Sequence, residues 1–173
     1  MPNNPDPLAI EFLHYNRWAN LRLIDACLDL APDQLASTAP GTYGSIYDTL
    51  VHIVQAEYHY YRRLTGVTLD PPFAWEDRPP LSAIRPYAER VSSALVETAG
   101  QMGITDSYPR DWDDPDWEGQ RSRYKSVSML IQVLNHGVEH RTNITTIMAQ
   151  QGIPAPGLDG WDYMRLNPDR MGA

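Results

Sequence analysis

The chain is poor in cysteine, in lysine and in long apolar runs, and each shortage excludes a class of protein. Its single cysteine, Cys27, among 173 residues has no partner for an internal disulfide, so a reduced compartment is the expected home. Only Lys125 accompanies the arginines in a total of 14 basic side chains, set against 22 carboxylates for a formal charge of −8. Without a basic stripe to neutralise phosphates, no nucleic-acid partner is expected, and the acidity speaks for solubility. No apolar run approaches the roughly 18 residues of a membrane span, and MPNNPDPLAIEF lacks the basic-then-apolar order of a signal peptide. A cytoplasmic protein with no membrane partner is the expectation. Repeat periods and strong strand patterns are missing as well, which leaves an all-α chain. Its length suits one domain over 1–173, with core enough to fold unaided.

The longest helical pattern runs from Ser126 to Gln151, SVSMLIQVLNHGVEHRTNITTIMAQQ, and stops at Gly152 and Pro154. At roughly 100° per residue, His136 and His140 project about 40° apart from adjacent turns, a spacing at which two imidazoles can grip one metal ion. Met129, Val133, Ile144 and Ile147 fall within about 80° of His136, so the pair faces a core rather than solvent. A second apolar strip, Val127, Ile131, Leu134 and Val138, lies on the far side. A bundle core needs one such face, and the other predicts a homodimer.

Asp6 and Pro7 open an earlier helix that reaches about Leu30, with a core stripe of Phe12, Ala19, Leu23, Ala26 and Leu30. His14 and Trp18 ride on the adjacent face. Trp18 is a pocket candidate, His14 reads as a residue capping the bundle, and Cys27 as packing rather than a nucleophile. Ser45 caps a second helix that Gly66 ends, with an apolar arc of Ile46, Leu50, Ile53, Ala56, Tyr60 and Leu64. His52 stands on the shoulder of that arc, with Asp48 one turn before it and His59 two turns after. Asp48 is placed to orient His52 as an acceptor. His59, about 10 Å further along the axis, belongs at the rim.

Thr68 to Pro80, proline-rich and carrying Phe73 and Trp75, reads as an ordered connection. A third helix, from near Ser82 to about Gln101 with its regular part beyond Pro86, buries Ile84, Tyr87, Val91, Ala94, Leu95 and Thr98. Ile104 to Tyr108 against Arg121 to Lys125 then reads as a short hairpin tipped by the solvated acidic run DWDDPDWE. The tail GIPAPGLDGWDYMRLNP is expected to pack back through Trp161, Tyr163 and Met164. The sum is an antiparallel four-helix bundle with a short hairpin or irregular segment between helices 3 and 4.

Three readings compete for His136-Gly137-Val138-Glu139-His140. It matches HxxEH, the inverted zinc-protease motif in which the glutamate activates water, yet no glutamate follows Glu139 to complete the ligand set. A di-iron carboxylate bundle needs ExxH pairs, and neither Glu57 nor Glu139 stands three residues before a histidine. The third reading takes His52 from the second helix as a third ligand, which gives a three-histidine metal site with open positions.

HYNRWANLRLI from His14 to Ile24, TLVHIVQAE around His52, LNHGVEHRTNI from Leu134 to Ile144 and the closing GIPAPGLDGWDYM resemble the DinB or damage-inducible, bacillithiol-transferase-like superfamily. The resemblance spans nearly the whole chain in the family's order. It implies a metal triad on His52, His136 and His140 and an aromatic-Ala-Asn signature on Trp18-Ala19-Asn20. Gly137 and Arg141-Thr142 depart from the commonest pattern, where a second histidine or an Arg-Gly-Gln run stands. A divalent ion, nickel or zinc, completed by water is implied, as are a homodimer and transfer of a low-molecular-weight thiol to a small-molecule substrate. The alternatives are a hydrolase using a metal-bound water and a non-enzymatic, metal-stabilised bundle.

Overall fold

Helix is the one regular element among the residues that the computed structural model describes, 7–102 and 126–170. α1 (Pro7–Cys27) is followed by a short α2 (Pro32–Leu35), α3 (Ile46–Thr65), a 3-10 turn at Trp75–Asp77 and α4 (Leu81–Met102). α5 (Ser126–Gln150), α6 (Gly160–Leu166) and a 3-10 turn at Pro168–Arg170 complete the order. The four long helices expected from the sequence are thus α1, α3, α4 and α5. The expected hairpin and its acidic tip lie outside the described residues.

α3 shows how local chemistry sets an element's limits. The Ser45 hydroxyl accepts the Asp48 N–H at 3.1 Å at its start. Gly66, at φ 72°, turns the chain into the left-handed region at its end and donates its N–H to the Arg62 carbonyl, a conformation glycine adopts without a Cβ penalty. Pro86 departs from expectation, because α4 runs through it. The carbonyl left without a helical donor is that of Ser82, an exposed residue, so the missing bond falls on the solvent side.

α1 packs on α4, α4 on α3, α3 on α5 and α5 on α1, so the long helices close a circuit. Inside it Leu23, Ile24, Leu50, Ile84, Ile144 and Ile147 are all but sealed from solvent. Met129 and Val133 of α5 join Leu13 and Tyr60 in a second apolar cluster beside the histidines.

The inward face of α1 is not the expected stripe. Phe12 is 47 % exposed and Ala26 is exposed, while Leu13, Asn16, Ala19, Asn20, Leu23 and Cys27 are buried. The true face lies about 70° round the helix, because two asparagines belong to it and apolar periodicity discards asparagine. Cys27 packs as expected, its thiol pushed up to about 12 by burial.

The 68–80 connection is ordered by its aromatics. Phe73 and Trp75 meet the Tyr87 ring edge-on at 5.8 and 5.9 Å, while the Tyr87 and Tyr47 hydroxyls donate to the Leu69 and Pro79 carbonyls. In the tail, Tyr163 is buried against Tyr15 and Trp18, but Trp161 is 78 % exposed and does not pack back. No described helix is long and apolar enough to cross a membrane.

Candidate metal centre

His52 comes from the middle of α3 and His136 and His140 from successive turns of α5, two helices that pack side by side. Their side-chain nitrogens converge: one ligand atom from each lies within 4.8 Å of the others. His136 Nε2 and His52 Nε2 face each other at 2.9 Å. Burial, the largest cause in each case, lowers the proton affinity of all three. His136 falls to about 4, with the charges of His140 and His52 adding to the effect. His52 is lowered further by His140, whereas at His140 the Glu139 carboxylate opposes the effect of burial. At pH 7 the cluster therefore offers neutral imidazoles, the form that binds metal.

The cluster also carries a mark of an incomplete site. His140 Nδ1 is buried without a hydrogen-bond partner, a costly arrangement for a polar atom unless a ligand takes the lone pair. Three imidazoles with no carboxylate or thiolate joining them, among the described residues, suit a divalent first-row ion with positions left open.

Tyr43 belongs to this site, although neither periodicity nor motif marks it in the sequence. Its ring stacks on His52 at 4.3 Å and meets His140 edge-on at 4.8 Å, and its hydroxyl lies 3.2 Å from His52 Nδ1. The loop carrying it is pinned to α5, since the Tyr43 N–H donates to Asn143 Oδ1 at 2.9 Å. Asn143 in turn donates to the Glu139 carbonyl at 2.7 Å. Tyr43 thus takes the place expected of Asp48. That carboxylate instead accepts the Ser45 hydroxyl and pairs with Arg78 at 3.0 Å, because it serves the start of α3 rather than the histidine one turn on. His59 is exposed, its ring against Tyr58, as a rim position requires. Glu139 is exposed as well. Trp18 is not beside the triad: its ring packs on Tyr15 and Tyr163 at the α1–α6 contact.

Behind the histidines lies a buried polar network that apolar periodicity passes over. Asn16 and Asn20 of α1 donate their amides to Glu57 Oε1 of α3 at 2.5 and 2.7 Å. Their carbonyl oxygens accept Arg141 Nη1 of α5 at 2.7 and 2.5 Å. The carboxylate and guanidinium, each only 3 % exposed, are bridged by two asparagines rather than touching. Burial pushes Glu57 up to about 7 against the pull of Asn16, Arg141 and Asn20. The signal was present in the sequence: Glu57 sits inside the apolar arc of its helix, and Asn16 and Asn20 form an i, i+4 pair.

Gly137 is what lets this network in. A Cβ there would lie 2.5 Å from Asn16 Oδ1 and 2.7 Å from Arg141 Nη1, both held in place by their partners. We expect Gly137→Ala to cost about 1–3 kcal/mol by overpacking, more than the roughly 1 kcal/mol that alanine gains in a helix interior. Urea titration would check this, and a variant more stable than wild type would remove the steric account.

Compared with protein families, residues 1–171 match the model of the DinB family, essentially the whole chain. No curated protein matches it.

Proposed function

We propose that this chain, which belongs to the DinB family, is a divalent-metal-dependent enzyme of thiol S-transferase type built on an antiparallel four-helix bundle. The observation that carries the reading is the convergence of His52, His136 and His140, which would hold the ion. A nickel or zinc ion held there would supply Lewis acidity, which lowers the pKa of a thiol or water toward neutrality. The chain's own residues do the rest. Burial keeps the imidazoles unprotonated, and the Tyr43 hydroxyl beside Nδ1 holds the His52 ring so that Nε2 faces His136. Exposed Tyr43 marks the side from which a small thiol and its electrophile would arrive.

In the reaction proposed, the thiol sulfur bonds to an electrophilic carbon, the leaving group departs with the bonding pair, and the thiol proton goes to solvent. The exposure of Glu139 withdraws support from the inverted-protease reading, which would make that residue a general base. The test is a screen of bacillithiol, mycothiol and glutathione against an alkyl halide, on protein purified without added metal and then loaded with nickel or zinc. We expect halide release with at least one thiol, abolished by chelation. Metal-loaded protein that transfers none of the three would overturn the transferase reading.

A homodimer is part of the proposal. Ile131 and Val138 of α5 are 54 % and 49 % exposed, and Leu134 between them is half-buried, an apolar strip on the side away from the core. Light scattering should give twice the chain mass, and Leu134→Glu should halve it. A wild-type monomer at micromolar concentration would exclude the dimer.

A further inference from the structure

The α1–α4–α6 face holds a cavity of about 720 Å³ to which none of the three histidines contributes. That volume is in the range of small-molecule sites, roughly 300–1,000 Å³. Its lining departs from the rest of this acidic chain, with guanidinium groups from Arg17, Arg22, Arg85 and Arg170 against carboxylates from Asp25 and Glu89.

Most of that charge is already matched. Arg17 pairs with Glu89, Arg85 with Asp25 and Glu89, and Arg170 with Glu11 just outside the cavity. Arg22 is the exception. Its Nε donates to the Gly157 carbonyl at 3.0 Å and its guanidinium lies over the Trp18 ring at 5.7 Å, and no carboxylate meets it among the described residues. Both contacts fix the group and leave its Nη edge, the edge that receives a carboxylate in a two-pronged bond. Beside it the Trp18 and Tyr163 rings, 5.3 Å apart and inclined at 62°, give an angled apolar wall.

We infer that this cavity binds a small organic monoanion, a carboxylate on an apolar body, with Arg22 as the partner of the charge and the angled Trp18 and Tyr163 rings as the wall for the body. One surplus cation suits one negative charge. Asp25 and Glu89 would repel a second, which disfavours a phosphate monoester. The inference is independent of the metal centre.

The test uses the full chain and four probes in calorimetric titration: 2-naphthoate, its neutral counterpart 2-naphthylmethanol, acetate, and 2-naphthyl phosphate. We expect 2-naphthoate to bind about tenfold or more tightly than either the neutral body or the bare anion, the scale of a charge-assisted hydrogen bond. Arg22→Gln should weaken it by a similar factor while leaving the helix content and metal content unchanged. Arg22→Lys, which keeps the charge and loses the fork, should fall between. Equal affinity in Arg22→Gln, or no binding of 2-naphthoate at millimolar concentration, would overturn the assignment. Tighter binding of 2-naphthyl phosphate would overturn the carboxylate preference.

Discussion

Arg141→Met is expected to lower stability by about 3–5 kcal/mol, because removing one member of a buried ionic network strands the other in a medium that cannot solvate it. For a chain of this length that is a fall in melting temperature on the order of 10 °C. The Arg141 guanidinium also lies over the Tyr15 ring at 5.7 Å, a contact that methionine would lose as well. The loss comes from Asn16 and Asn20, whose carbonyls would lose the Arg141 donor, and from Glu57, left buried with amide donors alone. Glu57→Gln combined with Arg141→Met should be milder than the two single losses added, since the pair is coupled through shared asparagines. An Arg141→Met variant within about 1 kcal/mol of wild type would mean the network is held by something other than this charge.

The same network gives the stability a pH signature. Glu57 has its folded pKa raised by burial to about 7 from 4.5, so between these values the folded chain binds more protons than the unfolded chain. Its contribution is fully present below the lower value and is lost as pH rises through the higher. The apo histidines tilt the other way. Burial lowers the His136 pKa to about 4 from 6.5, so the stability linked to this group is present above the higher value and lost as pH falls toward the lower. Glu57→Gln should remove the first slope and keep the second, which denaturation at a series of pH values reads directly.

Alanine at His52, His136 or His140 is expected to take bound nickel or zinc from near one ion per chain to near none, measured by elemental analysis after dialysis. In wild type, an ion present at about a thousand times its dissociation constant should stabilise the fold by about 4 kcal/mol, a melting shift on the order of 10 °C. In each alanine variant that shift should vanish while the metal-free melting temperature changes little. These side chains face one another and Tyr43 more than they fill the core. Metal content unchanged in all three variants would reject the site.

Much of this site was legible in the sequence, and the reason is geometric. A helix has a fixed rotation per residue, so His136 and His140 had to share a face, and the apolar residues around them had to make that face an inner one. Capping chemistry is equally local, which is why Ser45 and Gly66 mark the ends of α3 where the sequence put them. What the sequence determined by itself was therefore helix content, the limits of α3 and the i, i+4 pair. The approach of His52 to that pair, Tyr43 above them and the network behind them were decided by tertiary structure. They depend on which helices meet and at what rotation. Asn16, Asn20, Glu57 and Arg141 come from three helices, and each is an unpromising core residue alone. Only packing brings donor to acceptor and makes burying them tolerable. For the same reason apolar periodicity misplaces the inner face of α1, since two of its residues are buried through partners over 35 positions away in the chain.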